Sequence, residues 1–307
     1  MNWFFIALAA PFLWALVNVA DNYLVKRFSE KEREQSSGGL VLFSSLIGIV
    51  IAFFIWILVP NVFYIPLWDK LLLFVCGILT IVWIILYLFS LEIEEVSAVA
   101  PWFLTVPFFG YILGYIFLGE TLTLNQLIGA GIIFAGLFFI SLNFGPEKKE
   151  SKGKHVFYMI FACLAIAISG IIFKYVTVGN NFWVSSFWEY LGLGVSGLFI
   201  FLFIPKYRES FLRMRRTGGQ TILLINIVSE FMSVAGNLLT NFALLLAPVA
   251  MVFLVGSFQP VAVLIITTFG TKFFPHIVKE NISRQSMAKK LIAILIIVIG
   301  SVVLFFK

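Results

Sequence analysis

The chain has 307 residues, of which 61% are apolar and only 12% are charged, and its mean hydropathy is +1.06. A soluble domain of this length needs a charged surface, and too few residues remain here to supply one. The formal net charge of +6 does not indicate nucleic-acid binding, because the basic residues lie in short loops that set topology or contact anionic lipid headgroups. The composition predicts a helical bundle in a lipid bilayer.

Ten apolar segments follow one another, and a helix needs about 20 such residues to cross a hydrocarbon core of about 30 Å. They are residues 3–24, 39–59, 71–90, 97–118, 124–143, 156–176, 182–204, 220–245, 248–270 and 288–306. The first has neither a basic start nor a small-residue cleavage site, so we expect a retained helix rather than a signal peptide. A polar stretch after the fifth segment divides the chain into residues 1–143, a linker at 144–155 and residues 156–307.

The two halves show traces of an internal repeat. A shift of 153 residues places Phe89 on Phe242 and Pro107 on Pro260, at the same point of corresponding segments. Apolar matches arise easily by chance in so apolar a chain, but a matched proline does so less often. Five crossings end on the opposite side of the membrane, so a repeated five-helix unit must be inverted. We therefore predict an all-α membrane protein with ten transmembrane helices in two inverted five-helix repeats.

The basic residues predict the orientation of the chain. Loops one, five, seven and nine together hold 18 of the 21 Lys and Arg residues. Positive loops stay in the cytoplasm, so both termini are predicted to face outward. No endomembrane retrieval signal is visible, which favours a prokaryotic cell membrane as the location of this multi-pass protein.

A run of motifs in the first half carries a resemblance to a known family. The residues are Tyr87, Val96-Ser97-Ala98, Pro107, Leu118-Gly119-Glu120-Thr121-Leu122-Thr123, Gln126, Gly129 and Gly136. The stretch from Tyr87 to Leu142 resembles one repeat of the EamA family, in the drug/metabolite transporter superfamily. The resemblance implies two five-helix halves and a transport function. Two features depart from it: Phe273 stands where the second half would repeat Glu120, and family members commonly have cytoplasmic termini.

Some motif residues also have a structural interpretation. Glu120, after Gly119, precedes the fifth segment, where a carboxylate favours the free N–H groups and the positive end of the helix dipole. We favour this helix-terminus role over substrate contact. Pro101 and Pro107 are expected to bend the fourth segment and free carbonyl groups that line a cavity, and Pro260 marks the counterpart position in the ninth.

Ionisable side chains inside a bilayer cost a few kcal/mol or more, so they are functional candidates by default. Glu230 lies near the middle of the eighth segment and Glu189 lies within the seventh, while Asp21 and Lys174 are nearer segment ends. Burial favours the protonated form of a carboxyl group, so Glu230 and Glu189 are candidates for proton coupling. The alternatives are a structural hydrogen bond for each glutamate, and snorkelling to the interface for Asp21 and Lys174.

Polar and aromatic residues at helical spacing accompany these groups. Amides on the eighth and ninth segments are Asn226, Asn237, Asn241 and Gln259. A smaller stripe on the first segment combines Trp14, Asn18 and Asn22, and aromatic walls are expected from Trp83, Tyr87 and Trp102. Such stripes either line a solute path or join helices together, and we favour the path.

The candidate cavity contains amides, aromatic rings and carboxylates, with Lys174 as its single cation. Phosphorylated substrates need cationic groups, so they are disfavoured. We predict a secondary transporter, acting as an exporter, of a small neutral, zwitterionic or cationic metabolite such as an amino acid-like compound. Its partners would be this solute, protons and the lipid bilayer, without nucleic acid, metal or cofactor. The oligomeric state stays open.

Other functional classes fit less well. A lipid or amphiphile flippase or a multidrug efflux protein is the nearest alternative. A membrane receptor or scaffold would need neither a repeat nor a polar midplane. An enzyme is disfavoured because only two aspartates occur and both histidines, His155 and His276, are predicted to lie in loops, away from membrane depth.

Overall fold

The computed structural model describes residues 2–29, 37–93, 99–144, 154–217, 219–259, 261–263, 265–266 and 284–305. Within these residues the regular structure is helical, as predicted, and no strand occurs. The first half contains α1 (Asn2–Ser29), α2 (Ser37–Leu58), α3 (Leu67–Ile93), a 3-10 helix (Ala100–Thr105), α4 (Val106–Leu118) and α5 (Leu124–Phe144). The second half contains α6 (Lys154–Thr177), α7 (Phe182–Phe203), α8 (Pro205–Thr217), α9 (Gly219–Leu244), α10 (Val249–Gly256) and α11 (Arg284–Phe305).

Six helices in the described residues, α1, α2, α3, α6, α7 and α9, are long and apolar enough to cross a membrane. Four shorter apolar stretches coincide with the fourth, fifth, ninth and tenth predicted segments: Trp102–Leu118, Leu124–Gly136, Val249–Val263 and Ile294–Val303. A multi-pass membrane protein therefore fits the structure, while the number of ten crossings stays a prediction.

α8 is a helix that the sequence interpretation had treated as a basic loop. Its backbone sits close against the start of α2, where the amide of Gly39 donates a hydrogen bond to Ser210 Oγ at 3.0 Å. The Phe211 ring lies 6.4 Å from the ring of Phe43. Arg215 and Arg216, in the last turn of this helix, are exposed. Such an amphipathic basic helix is typical of a membrane surface, where apolar residues face the protein and cations face headgroups.

Helices of the first half pack chiefly against helices of the second. α1 packs on α9, α2 on α7, α3 on α6 and α7, α4 on α6 and α10, and α5 on α11. Between α3 and α7 the backbones approach closely at Gly77, which faces the Glu189 carbonyl, and at Gly192, which faces the Phe74 carbonyl. Small residues permit this approach, which lets van der Waals contact hold membrane helices together.

The fourth and ninth segments are both interrupted. Residues Ala100–Thr105 form a 3-10 helix before α4 begins at Val106, and α10 ends at Gly256 before helical structure resumes at Gln259. Pro107 occupies the first turn of α4, where its missing N–H costs no helical hydrogen bond. It lies where the 3-10 helix passes directly into α4, and the expected bend of this segment stays a prediction. Pro260 lies outside the described residues.

The turn between α4 and α5 explains three motif residues. Gly119 has φ +63°, a left-handed conformation that caps α4, and an added Cβ would meet no atom within 4 Å. At the start of α5, Thr123 Oγ1 accepts from the amide of Gln126 at 3.3 Å, and Gln126 Oε1 accepts from the amide of Thr123 at 2.9 Å. This reciprocal pair is a capping box, so Thr123 and Gln126 satisfy the helix start that had been assigned to Glu120.

Gly119→Ala is expected to cost about 1 kcal/mol of stability, because a Cβ is strained in the left-handed region while the space around it is open. Gly119→Asn should cost less, since asparagine tolerates this conformation. Thermal unfolding of both variants in one detergent checks the order. Equal losses for alanine and asparagine would show that backbone conformation is not what requires glycine.

Candidate functional site

A cavity of about 140 Å³, lined by both apolar and polar side chains, lies between the two halves. It is lined from the first half by α1, α2, α3 and the start of α4, and from the second by α6, α7, α9 and α10. A buried water needs roughly 10–15 Å³, so the cavity has room for about ten waters or a solute of about ten non-hydrogen atoms. We call this space the central cavity.

Three carboxylates reach the central cavity, each from a different helix: Asp21 from α1, Glu189 from α7 and Glu230 from α9. Glu189 Oε2 accepts a hydrogen bond from Asn241 Nδ2 at 2.8 Å, and Glu230 Oε1 accepts one from Ser44 Oγ. Asp21 and Glu230 are close enough to interact electrostatically. The prediction that Asp21 snorkels to the interface is wrong, because its side chain lines the cavity.

The amides of the central cavity are Asn18, Asn237, Asn241 and Gln259. Asn18 is only 4% exposed, and its Oδ1 accepts a hydrogen bond from the Tyr87 hydroxyl at 2.8 Å. Its Nδ2 has no hydrogen-bond partner in the described structure. One donor on this side chain is therefore buried, unsatisfied and available to a ligand that carries an acceptor.

Aromatic rings give the central cavity its walls. Trp14, Trp83, Tyr87 and Phe103 line it from the first half, and Phe253 closes it from α10. Phe253 fits against Gly110 and Gly170, where an added Cβ would lie 2.6 Å and 2.5 Å from the ring. These glycines admit a large ring between helices of opposite halves, which sets the shape of the cavity.

Two predicted site residues that the structure describes, Asn226 and Trp102, are not brought into the central cavity. Asn226 donates to the Ile222 carbonyl at 3.1 Å and lines a smaller pocket beside α8. Trp102 lies outside the cavity lining and packs against the hydrophobic core, while its carbonyl accepts from Cys163 Sγ at 3.3 Å. The side chain of Asn22 lies outside the described residues. His155, predicted in a loop, is buried in the first turn of α6.

Some cavity residues were not predicted, including Ser44, Thr80, Ser169, Ser233, Thr240 and Ser257. Hydroxyl residues are common in membrane helices, so composition alone does not single them out. Asp21 was recoverable from the sequence, because it stands three residues after Asn18 and therefore on the same helix face.

Glu120 joins the two halves rather than capping its own helix. Its Oε1 lies 2.6 Å from Lys174 Nζ on α6, and its Oε2 accepts from the amide of Val249, the first residue of α10, at 2.7 Å. Lys174 Nζ also donates to the Ala247 carbonyl at 2.7 Å. The expected helix-terminus role is thus right in kind, but the helix is α10 of the other half. We call these four residues the cross-half clamp.

The cross-half clamp holds Lys174 away from the lining of the central cavity. Its side chain is 14% exposed and paired with Glu120, so neither the predicted snorkelling nor a cationic role in the cavity holds. Among the described residues that line the central cavity, there is no Lys, Arg or His. The described His, Cys, Asp and Glu side chains likewise form no group of three that could hold a metal ion.

Comparison with known proteins agrees with this architecture. One crystal structure matches with a TM-score of 0.70 over 99% of this chain and 96% of its own length, at 13% sequence identity, a likeness that concerns the fold alone. Comparison with curated proteins gives no match. The family model described as the EamA-like transporter family matches residues 1–142. This family points to a non-enzymatic membrane transporter of the drug/metabolite type. Residues 1–142 of the chain therefore match the EamA-like transporter family, which is part of the drug/metabolite transporter superfamily.

Proposed function

We propose that the protein is a secondary transporter that exports a small metabolite by alternating access, with the central cavity as its solute site. The observation that carries the proposal is a cavity, with three carboxylates and four amides in its lining, between two halves of an otherwise apolar helical bundle. Carboxylates and amides would be costly against lipid, and a solute path gives them a reason to be retained. Glu230, Glu189, Asn237, Asn241, Gln259, Asn18, Trp14, Trp83 and Tyr87 are the proposed solute-contacting residues.

The packing pattern supports two inverted repeats of five transmembrane helices each. Exchanging the halves turns the α1–α9 pair into the α3–α6 pair, while α2–α7, α4–α10 and α5–α11 map onto themselves. A shift of 153 residues also places the start of α4, at Val106, on Gln259, where helical structure resumes after α10. Interrupted helices at corresponding positions are typical of transporters built from inverted repeats.

The ends of the helices support a direction of transport. In the proposed ten-crossing topology, the cross-half clamp lies at the face that also carries both termini. On the opposite face, which holds the basic loops, the cavity lining reaches Asp21, near the end of α1, and Ser44, near the start of α2. With basic loops in the cytoplasm, this arrangement would receive solute from the cytoplasm.

A second candidate is movement of a lipid or amphiphile. An apolar groove of about 620 Å³ runs between α1, the residues after α10, and α11, lined by Phe12, Phe258 and Val298 among others. Acyl chains could occupy such a groove, but its polar lining is almost nil, so it offers no seat for a headgroup. We therefore place solute export first.

Glu230→Gln is expected to abolish export, because the amide keeps the size of the side chain and removes its charge and its exchangeable proton. Extracellular metabolites are compared between cells with the native protein, the variant and no protein, at equal membrane levels. Glu209→Gln, on the exposed surface of α8, is the matched control and should export normally. The same cells with Glu189→Gln test the second proposed proton carrier.

The pattern of metabolites decides between the readings. A compound that accumulates outside only with the native protein and the Glu209 variant supports the proposal. If the compound accumulated outside equally with the native protein and with Glu230→Gln, the transport function would stand, but Glu230 would not be part of the solute path. If all cells had the same extracellular metabolites, and only cells with the native protein had altered lipid asymmetry, the second candidate would be favoured.

A further inference from the structure

We infer that the central cavity selects a small organic cation whose second end carries a neutral hydrogen-bond acceptor; this rests on the proposed function and narrows its substrate class. Three carboxylates face the cavity, and its described lining contains no Lys, Arg or His. Lys174 is ion-paired with Glu120 and is not part of this lining. An anionic solute would enter a space without a counter-charge.

Asp21 and Glu230 form the seat for the ammonium group. They come from α1 and α9, which pack against each other across the halves, and their carboxylates interact electrostatically. Two neighbouring carboxylates repel each other, and an ammonium group between them turns the repulsion into two attractions. Because one carboxylate belongs to each half, the cation bridges the two parts that move in alternating access.

Glu189 is less available to the cation than the other two carboxylates. Its Oε2 is occupied by the amide of Asn241, and its backbone is fixed by the close approach of Gly77. Glu230 is also hydrogen-bonded, but only by a hydroxyl group, Ser44 Oγ, which can rotate to donate elsewhere. The flexible partner makes Glu230 the better ligand group.

Asn18 supplies the donor for the neutral hydrogen-bond acceptor at the second end of the solute. Its Nδ2 is buried without a partner, and Asn18 stands three residues before Asp21 on the same face of α1. A ligand with its ammonium group at Asp21 can therefore offer a carbonyl or hydroxyl oxygen to this donor. A carboxylate at that position would satisfy the donor but would meet the charges of the cavity. The predicted neutral and zwitterionic classes thus give way to the cationic one.

Three compounds of about the same size separate these classes: L-leucinamide as the cation, L-leucine as the zwitterion and 4-methylpentanamide as the neutral compound. Binding to the purified full chain is measured by calorimetry at about pH 7.5, below the α-amino pKa of about 8, so most of the amine is protonated. Leucinamide should bind about tenfold or more tighter than the other two, since only it matches the charge of the cavity.

Variants assign the binding to the named residues. Asp21→Asn and Glu230→Gln should each weaken leucinamide binding about tenfold or more, Asp21→Glu should retain the preference, and Glu209→Gln should leave it unchanged. Asn18→Ala should abolish the advantage of leucinamide over 3-methylbutylamine, which lacks the acceptor. Each variant is compared only if its unfolding temperature matches that of the native protein.

Equal or tighter binding of leucine or 4-methylpentanamide would overturn the cation inference. Absence of binding by all three, in a protein whose cells still change their extracellular metabolites, would also overturn it while leaving export standing. Absence of both binding and export would remove the proposed function together with the inference.

Discussion

Replacing Gly77 with alanine is expected to lower the unfolding temperature of the purified protein by several degrees. A Cβ at this position would overlap the carbonyl oxygen of Glu189 and the amide nitrogen of Leu193. Both are backbone atoms, which cannot turn aside as the end of a side chain can. α3 and α7 would have to separate, and overpacking of this kind costs about 1–3 kcal/mol or more. Gly192→Ala should have the same effect, because its Cβ would overlap the Phe74 carbonyl.

Gly131→Ala provides the matched control. Gly131 lies in α5, and a Cβ there would meet nothing within 4 Å. Alanine has a helix propensity about 1 kcal/mol better than glycine, so this variant should melt at or above the native temperature. Tryptophan fluorescence in a single detergent follows all the proteins. If Gly77→Ala melted together with Gly131→Ala, the close approach of α3 and α7 would be refuted. Because that approach also fixes the backbone of Glu189, Gly77→Ala should reduce transport as well.

Glu120→Ala should open the face of the bundle that the cross-half clamp closes. Removing the carboxylate leaves Lys174 with the Ala247 carbonyl alone and leaves the amide of Val249 without its acceptor. Truncating one partner of a buried ion pair costs about 3–5 kcal/mol, and the remaining carbonyl contact favours the lower end of this range. The lost free energy destabilises the conformation in which that face is closed. The conformation in which the face is open should therefore become more populated.

Thiol labelling measures this opening. Thr240→Cys places a thiol in the lining of the central cavity, while the native Cys76 and Cys163 are buried. In this background, Glu120→Ala should increase labelling by an impermeant reagent applied from the face that carries the clamp. Glu209→Gln should leave labelling unchanged. Replacing both clamp partners, as in Glu120→Gln with Lys174→Met, should restore part of the stability, because no buried charge then lacks a partner. Unchanged labelling in Glu120→Ala would exclude the clamp as a gate.

The helical character and the approximate positions of the segments were predictable because they depend on local composition. A long apolar segment is stable only against lipid or against another apolar helix, and this holds whichever helix it packs on. The basic run at Pro205–Thr217 was misread because charge density hid its apolar side, on which Tyr207 and Phe211 contact α2. A periodicity search within the loop would have found this helix.

The sequence predicted the candidate site only to the extent that polar residues at helical spacing mark one face of a helix. Glu230, Asn237 and Asn241 share a face of α9 and line the central cavity. Asn226 lies on the same face, but beyond the end of the cavity, beside Phe211 and Met214. Helical periodicity predicts which residues share a helix face, but it does not predict how far along that face the cavity extends. The clamp contact between Glu120 and Val249 joins residues 129 positions apart, and no local pattern predicts such a contact.

A ribosome that makes this chain releases the helices of the first half before any helix of the second half exists. α1, α2 and α5 have their main neighbours in α9, α7 and α11, so they enter the bilayer with their largest packing faces open to lipid and to membrane chaperones. α1 waits longest, since its end at Ser29 and the end of α9 at Leu244 are 215 residues apart, against 161 between the ends of α5 and α11. Cellular proteases that recognise unassembled helices therefore have the whole time of translating the second half in which to remove a truncated or damaged chain.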